Sequence, residues 1–290
     1  MKDIQVIHEV PKAVSIDECV DKIFCGNCVE ILRSLPSDSI DLIVTSPPYG
    51  DVRTYTNEYQ ATGFDFEGTA FQLKRVIKPG GVMVWVVDDT VINRGESGES
   101  LRQALFFMDR CGLNKHDTMI YNKNNFAFPS TIQQKRYHQA FEYMFVFSKG
   151  VPTTFNPISD REIEDTEAWG KKTERQADGS LKESNRRSTS NEKGRRLNVW
   201  DIKNGGIYTS PLYKEAKQHP ARFPEELAED HIITWSNDKE IVLDPLSGSG
   251  TTCAMAARNN RHFIGIEISP EYCELSRQRI NNMISKGKKN

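Results

Sequence analysis

Short apolar segments alternate with amphipathic ones along most of this chain. Residues 22–25 have the pattern of a buried strand, and residues 28–35 follow with apolar side chains at helical spacing. Pro36 and the polar residues after it end that helix, and a second apolar run leads to Ser46. Strand, helix and strand in this order predict a parallel α/β sheet, in which ligands bind at the carboxyl ends of the strands.

The same alternation continues towards residue 150 and resumes at residue 197. A glycine at position 112 suits a helix end, because glycine readily adopts the left-handed conformation. Pro224 suits the first turn of a later helix. The pattern predicts helices at residues 68–77, 101–111 and 225–233, and strands at residues 82–87, 118–121, 142–147 and 197–202.

Residues 159–196 interrupt the pattern, because almost all of them are polar. Residues 160–167 contain five acidic residues and one basic residue, a net charge of −4. Residues 182–196 contain six basic and two acidic residues, a net charge of +4. Such a segment has too few apolar side chains to form its own core. We therefore expect one domain, formed by residues 1–158 and 197–290, with a polar, partly disordered insert at 159–196 whose basic end orders against phosphates.

Composition narrows the functional classes. The formal net charge is −2, so contacts with nucleic acid require a local basic patch. The longest strongly apolar run, residues 82–87, is far too short to span a membrane, and residues 1–5 have no apolar secretory segment, so we expect a cytoplasmic protein. Cys25 and Cys28 form a C-x-x-C pair, but no second pair completes a zinc site. We expect no metal, and no cysteine follows a proline as a covalent nucleophile would.

The strand before Ser46 ends in an unusual sequence, Ser46-Pro47-Pro48-Tyr49. The two prolines hold an extended, stiff backbone. The Ser46 hydroxyl and the Pro47 carbonyl are then left as acceptors beside the Tyr49 ring. Acceptors next to an aromatic face suit a flat ligand that carries an amino group, such as a nucleobase. A simple Pro-Pro turn after a strand is the alternative interpretation.

A second unit, residues 241–268, has a buried strand, a Gly-rich turn, a helix start and a strand that ends near Glu267. Such units bind nucleotides, because glycines admit a ligand close to the backbone and the acid accepts from ribose hydroxyls. Cys253 occupies the place where a dinucleotide fingerprint has Gly or Ala, and Asp244 suits a cation better than a pyrophosphate. S-adenosylmethionine, an adenosine compound with a sulfonium and an ammonium group, fits this pattern.

One motif, Thr45-Ser46-Pro47-Pro48-Tyr49, lies near the start of the chain, and the matching segments 243–252 and 265–268 lie near its end. In this order the motifs resemble those of the beta-class DNA amino-methyltransferases. The resemblance extends over residues 22–150 and 195–280, and residues 198–201 and 219–224 resemble the segment before the cofactor helix. It implies a Rossmann-like methyltransferase fold with a circularly permuted motif order and a target-recognition insert. Relatives usually have Gly-Asp where this chain has Gly26-Asn27, so we expect altered cofactor binding there, with the amide oxygen accepting from adenine.

The resemblance also implies residue roles. Ser46 and Pro47 accept hydrogen bonds from the target amine, Pro48 belongs to the same catalytic motif, and Tyr49 stacks on the extruded base. The implied cofactor residues are Asn27, His219, Phe223, Asp244, Pro245, Ser247, Gly248, Gly250, Thr251 and Glu267. The candidate DNA contacts are Arg53, Arg186, Arg187, Lys193, Arg195 and Arg196.

The implied activity is methyl transfer from S-adenosylmethionine to N4 of cytosine in double-stranded DNA, because Ser-Pro-Pro-Tyr is typical of that specificity. Transfer to adenine N6 is the alternative, since a hydroxyl does not exclude adenine. A non-catalytic nucleic-acid-binding protein and transfer to RNA or a protein amide are the other hypotheses. We expect a prokaryotic or phage protein, monomeric or homodimeric, with a cognate restriction endonuclease as a candidate partner.

Overall fold

A computed structural model of the chain describes residues 4–9, 15–48, 63–123, 135, 137, 139–162, 173–183, 193–202 and 224–286. Contacts between Cα atoms divide the chain into two compact units. Residues 1–156 and 198–290 form the first unit, and residues 157–197 form the second. The polar insert predicted at residues 159–196 lies within the second unit.

The regular elements of the described residues are numbered in chain order. The helices are α1 (Cys28–Ser34), α2 (Phe66–Val76), α3 (Glu99–Asp109), α4 (Glu225–Trp235), α5 (Thr251–Arg258) and α6 (Pro270–Lys286), with a 3-10 turn at Ile16–Glu18. The strands are β1 (Gln5–Ile7), β2 (Lys22–Cys25), β3 (Ile40–Thr45), β4 (Ile77–Val87), β5 (Val91–Ile92), β6 (Gly95–Glu96), β7 (Asn114–Lys123), β8 (Phe141–Ser148), β9 (Arg161–Glu162), β10 (Thr173–Arg175), β11 (Leu181–Glu183), β12 (Lys193–Gly194), β13 (Val199–Ile202), β14 (Ile241–Asp244) and β15 (His262–Glu267).

The main sheet has the strand order β1-β2-β15-β14-β3-β4-β8-β7-β13. Neighbouring strands run parallel except at β8, which is antiparallel to both β4 and β7. The prediction of a mostly parallel sheet flanked by helices is confirmed. The late strands β14 and β15 lie between the early strands β2 and β3, as a permuted order of motifs requires.

The central strands are buried on both faces, because successive side chains point to opposite sides of the sheet. In β3, Leu42 and Val44 pack towards one face, and Ile43 packs towards the other. Helices α4, α5 and α6 cover the first face, and α1, α2 and α3 cover the second. Helices therefore cover both faces of the sheet, so a ligand must bind at the ends of its strands.

Several boundaries differ from the prediction. Strand β4 begins at Ile77, directly after α2, and not at residue 82. A register shift between Ile40 and Leu42 accommodates the Pro-Gly-Gly segment in the β3–β4 pair. A side chain at Gly81 would place its Cβ atom 2.9 Å from the Asp41 carbonyl oxygen, so glycine permits this close pairing. Helix α6 extends to Lys286, beyond residue 280, where the family resemblance ends.

The second unit contains two short antiparallel strand pairs in its described part. Strands β10 and β11 pair with each other, and Gly179 in the turn between them has a φ of +85°. Strand β9 pairs with β12. Arg196 and Asp160 form an ion pair at 2.5 Å. Backbone pairing and surface charges therefore hold this segment, consistent with its few apolar residues.

Candidate active site

The carboxyl ends of β3 and β14 lie side by side in the sheet. Thr45 is the last residue of β3, and its Oγ1 donates a hydrogen bond of 2.7 Å to Oδ1 of Asp244, the last residue of β14. Both residues are buried. This bond joins the Ser-Pro-Pro segment to the Gly-rich turn, although the two are separated by 199 residues.

Ser46, Pro47 and Pro48 follow β3 at this edge of the sheet. Pro47 is buried, whereas Ser46 and Pro48 are partly exposed. Thr252 in α5 donates to the carbonyl oxygen of Val44 at 3.2 Å, which fixes the end of the strand against the helix. Tyr49, the predicted stacking residue, lies outside the described residues, as does Arg53.

The turn after β14 depends on its glycines. Gly248 and Gly250 have φ angles of +49° and +76°, a region that glycine occupies without strain. A Cβ atom on Gly250 would lie 2.8 Å from the Cβ atom of Ser276 in α6. The turn is therefore packed tightly against α6. The predicted cofactor residues Pro245, Ser247 and Thr251 belong to this turn and to the helix start that follows it.

Glu267, at the end of β15, holds the same turn from its other side. Its Oε2 accepts from the Gly248 N–H at 2.9 Å, and its Oε1 accepts from the Ser269 N–H at 2.9 Å. Each carboxylate oxygen keeps a second lone pair that can accept from a ligand. The geometry is consistent with an acceptor for ribose hydroxyls.

The carboxyl groups of Asp244 and Glu267 both have raised pKa values. Burial raises the pKa of Asp244 to about 6, although the hydrogen bonds from Thr45 and from the Leu246 N–H act in the opposite direction. Burial also raises the pKa of Glu267. A cation placed near such groups restores their charged form, because it compensates the lost hydration. The Ser247 hydroxyl is buried and has no hydrogen-bond partner among the described residues. A buried carboxylate, a partly exposed one and a hydroxyl without a described partner fit a cationic adenosine cofactor.

Asn27, the predicted adenine contact, uses its amide oxygen within the protein. It is the N-cap of α1, and its Oδ1 accepts from the N–H groups of Val29 at 2.9 Å and Glu30 at 3.3 Å. The atom that was expected to accept from adenine is therefore engaged within the helix cap. Its Nδ2 is the group left for a ligand, as a donor. The Gly26 N–H donates to the Glu267 carbonyl at 2.9 Å, so Asn27 lies beside the Glu267 strand end.

Arg279 is a site residue that the sequence did not indicate. It reaches from α6 and donates to Thr251 Oγ1 at 2.8 Å and to the Ser249 carbonyl at 3.3 Å. It also forms an ion pair of 2.6 Å with Glu225 at the start of α4. The arginine is buried and links the Gly-rich turn to two helices. The only sequence signal was its position on the apolar face of α6, where a charge is unusual.

The remaining predicted residues divide into two groups. His219, Phe223, Arg186 and Arg187 lie outside the described residues. Lys193 and Arg195 are exposed in the second unit, while Arg196 is paired with Asp160.

No group of three or more metal-binding side chains occurs in the described ranges. Nor does the described part of the chain contain a helix with the length and apolar character needed to span a bilayer.

A mostly parallel sheet with an acidic, Gly-rich turn beside a Ser-Pro-Pro strand end is typical of S-adenosylmethionine-dependent methyltransferases. Comparison with known families gives the same answer, because residues 40–278 match the N6_N4_Mtase model, described as DNA methylase. The chain belongs to this family of DNA N4-cytosine and N6-adenine methyltransferases. It is an enzyme of that class, and S-adenosylmethionine is its cofactor.

Among curated proteins, the chain is 51% identical over 252 residues to the orphan methyltransferase M.BamHII of Bacillus amyloliquefaciens, covering 85% of this chain and 90% of that protein. It is 28% identical over 300 residues to the type II methyltransferase M.XycI of Xanthomonas campestris pv. cyanopsidis, covering 91% of this chain and 88% of the relative. Both relatives are bacterial DNA methyltransferases.

Solved structures show the same fold. The PvuII DNA methyltransferase, described as cytosine-N4-specific, aligns with a TM-score of 0.64 at 22% identity and covers 91% of each chain. The M1.HpyAVI–SAM complex aligns with a TM-score of 0.57 at 22% identity, covering 96% of this chain and 99% of its own. At this identity the likeness concerns the fold, and the specificity must be argued from the site.

Proposed function

We propose that the chain methylates the exocyclic N4 of cytosine in double-stranded DNA, after the base has been turned out of the helix. The observation that supports the proposal is the Thr45–Asp244 hydrogen bond, which joins the strand end before Ser46 to the Gly-rich turn. A base inside a duplex cannot reach such a strand end, and enzymes that act on bases commonly extrude them.

The exocyclic amine is a poor nucleophile, because its lone pair is delocalised into the ring. Ser46 Oγ and the Pro47 carbonyl oxygen would accept hydrogen bonds from its two protons and return electron density to the nitrogen. Tyr49 would stack on the extruded base and offset part of the unstacking cost, at about 1–3 kcal/mol for each base. Catalysis then depends mainly on positioning and electrostatics.

S-adenosylmethionine supplies the electrophilic methyl group when bound. We assign Asp244, Pro245, Ser247, Gly248, Gly250 and Thr251 to its cationic end, and Glu267 to its ribose. Asn27 would contact the adenine through Nδ2, and His219 and Phe223 would line the pocket. The support is the pair of carboxylates at adjacent strand ends, Asp244 buried and Glu267 partly exposed, whose pKa values are both raised.

We propose that a few basic side chains bind the DNA phosphates. The net charge of −2 gives no general attraction to phosphates, so Arg53 and the basic residues Arg186, Arg187, Lys193, Arg195 and Arg196 would supply it. We propose that residues 157–197 take part in target recognition. The relative from Bacillus amyloliquefaciens is named an orphan methyltransferase, which supports activity in a bacterial cytoplasm without a paired endonuclease.

The proposal is tested by incubating the purified protein, DNA and isotopically labelled cofactor, digesting the DNA to nucleosides and identifying the product. N4-methylcytosine is expected, and N6-methyladenine as the only product would overturn the choice of base. Ser46→Ala should abolish transfer and leave cofactor binding intact. Ser285→Ala, which removes an exposed hydroxyl at the end of α6, is the matched control.

A further inference from the structure

A short β-hairpin follows β4 at the edge of the sheet where the proposed active site lies. Strand β4 runs parallel to β3, with Thr45 in register with Trp85, so both strands end at the same edge. Strands β5 and β6 pair in antiparallel orientation soon after that end. The hairpin at residues 91–96 therefore begins at the strand end next to the Ser-Pro-Pro segment.

Hydrogen bonds hold the base of this hairpin. The Ser97 N–H donates to the Thr90 carbonyl oxygen at 2.8 Å, which closes the loop. The carboxylate of Asp89 accepts from Ser97 Oγ at 2.9 Å and from the Ser100 N–H at 3.1 Å. Since Ser100 is buried in the first turn of α3, the hairpin is fixed to both the strand before it and the helix after it.

The six residues of the hairpin are all exposed, and two of them are apolar. Ile92 is 56% exposed and Val91 is 37% exposed. The cross-strand partner of Ile92 is Gly95, which has no side chain to cover it. These two side chains add nothing to the core, so the hairpin presents an apolar surface to a partner.

The turn of the hairpin contains an arginine where glycine would fit more easily. Asn93 and Arg94 have φ angles of +51° and +68°, as in a type I′ turn. Such turns favour glycine at the second position, because other side chains are strained there. Arg94 therefore weakens the turn and places a cation at its tip.

The acidic residues near the hairpin lie at its base. Glu96 is opposite Val91, the pair furthest from the turn. Asp88 forms an ion pair of 3.2 Å with Lys123. The tip of the hairpin thus combines an apolar side chain with a positive charge.

A duplex from which one base has been extruded matches this combination. Extrusion leaves a gap between stacked bases, and DNA-binding proteins insert isoleucine, leucine or phenylalanine between such base steps. The phosphates beside the gap attract arginine. No such site was indicated by the sequence motifs, because the hairpin residues have no pattern of their own.

We propose that the hairpin at residues 91–96 enters the DNA where the target base leaves it, with Ile92 in the vacated space and Arg94 on a neighbouring phosphate. This inference rests on the proposed function, since it requires base extrusion. Ile92 is then a positioning residue, which stabilises the open duplex and takes no part in methyl transfer itself.

The first test is single-turnover methyl transfer to two duplexes that contain the sequence methylated by the wild type. In one duplex the target base is paired, and in the other it lies opposite an abasic site, which makes extrusion easier. Ile92→Ala should slow transfer to the paired duplex by about tenfold or more, and transfer to the abasic duplex much less. Ile92→Met keeps the apolar volume and should keep most of the rate.

Val151→Ala is the control for the apolar side chain. Val151 is 83% exposed and follows β8 at the opposite edge of the sheet, where Ser148 pairs with Val82. This variant should transfer the methyl group to both duplexes at the wild-type rate.

The second test is equilibrium binding of the paired duplex at several salt concentrations. Arg94→Gly should weaken binding by about tenfold at low salt and reduce the salt slope by about 1, because one phosphate contact is lost. Its thermal unfolding midpoint should not fall, since glycine relieves the strained turn. Lys239→Gly is the control, because Lys239 is also exposed with a φ of +66° but precedes β14 at the opposite edge.

The inference is overturned if Ile92→Ala has the wild-type rate on the paired duplex or slows transfer to both duplexes equally. Equal losses of DNA binding in Arg94→Gly and Lys239→Gly also overturn it. These outcomes are observed with an active wild type and leave the proposed function standing. A wild-type protein that methylates no DNA overturns the proposed function and the inference together.

Discussion

Thr45 Oγ1 and Asp244 Oδ1 form a buried hydrogen bond of 2.7 Å across the parallel pair β3–β14. The threonine precedes Ser46, the proposed catalytic residue, and the aspartate begins the turn that we propose binds the cofactor. Because each strand is held by its neighbours on both sides, this bond fixes the distance between the Ser-Pro-Pro segment and the Gly-rich turn. The relative position of the two motifs is therefore a property of the sheet.

Thr45→Val tests this bond, because it replaces the hydroxyl with a methyl group of similar size. The buried Asp244 loses a donor, so we expect a loss of about 1–3 kcal/mol in the free energy of unfolding. The pKa of Asp244 should rise further, which weakens cofactor binding near neutral pH. Denaturant unfolding and calorimetric titration with cofactor measure both effects. Thr118→Val, on β7, is the control, and equal effects from both variants would contradict the prediction.

Asp244→Asn should separate stability from function. Its pKa is about 6 in the folded protein and 3.8 as the reference value, so the folded state binds the proton more tightly. A raised carboxyl pKa makes the wild type lose stability as the pH rises from about 4 to 6, with the full cost present above that range. We expect the variant to gain up to about 3 kcal/mol at pH 7 without cofactor.

The same substitution should weaken cofactor binding at least tenfold, because the neutral amide no longer attracts a cation. Thermal unfolding at pH 4 and pH 7, with and without cofactor, measures both quantities. The stability difference between variant and wild type should be small at pH 4. A variant that binds the cofactor as tightly as the wild type would exclude Asp244 from the cofactor site.

Arg279→Met should destabilise the protein by about 3–5 kcal/mol, because Glu225 would lose its buried partner and Thr251 a hydrogen-bond donor. Cofactor affinity should fall with stability, since the arginine holds the turn. Arg277→Met is the control on the same helix, and it removes a half-exposed pair with Glu274 that is worth at most about 1 kcal/mol. Similar losses from the two variants would contradict the role given to Arg279.

Gly250→Ala should cost about 2 kcal/mol or more, because the new methyl group meets Ser276 and the φ angle of +76° disfavours alanine. Adding Ser276→Gly should recover part of the loss, since it removes the steric contact but leaves the backbone strain. Urea unfolding of the single and double variants gives the coupling energy. Strictly additive effects would show that the contact with α6 is unimportant.

Much of the local structure followed from the sequence. The helix at residues 28–35 and the left-handed Gly112 at the end of α3 were predicted correctly, because apolar spacing and turn residues act over a few positions. Strand β4 was predicted five residues too short. Its Pro-Gly-Gly segment is typical of a turn, but a register shift and the absence of a side chain at Gly81 admit it to the sheet.

Only those site residues that lie in a local sequence motif could be predicted from the sequence. Ser46 and Asp244 have local motifs that indicate chemistry. Arg279 has none, because its function depends on Ser249 and Glu225, which come close only after α4, α5 and α6 have packed. Asn27 was predicted to accept from adenine through its amide oxygen, but that oxygen caps α1, so a contact with the cofactor stays a prediction.

The sequence by itself determined most elements of the main sheet, the two motifs and the family, since periodicity, proline and glycine act locally and the ordered motifs are specific. Only the tertiary structure decided which strands are neighbours. The order β15-β14-β3-β4 places Glu267, Asp244, Ser46 and Asp88 in a row along one edge. Their burial and mutual distances, and therefore the raised pKa values of Asp244 and Asp88, arise from packing between residues far apart in the chain.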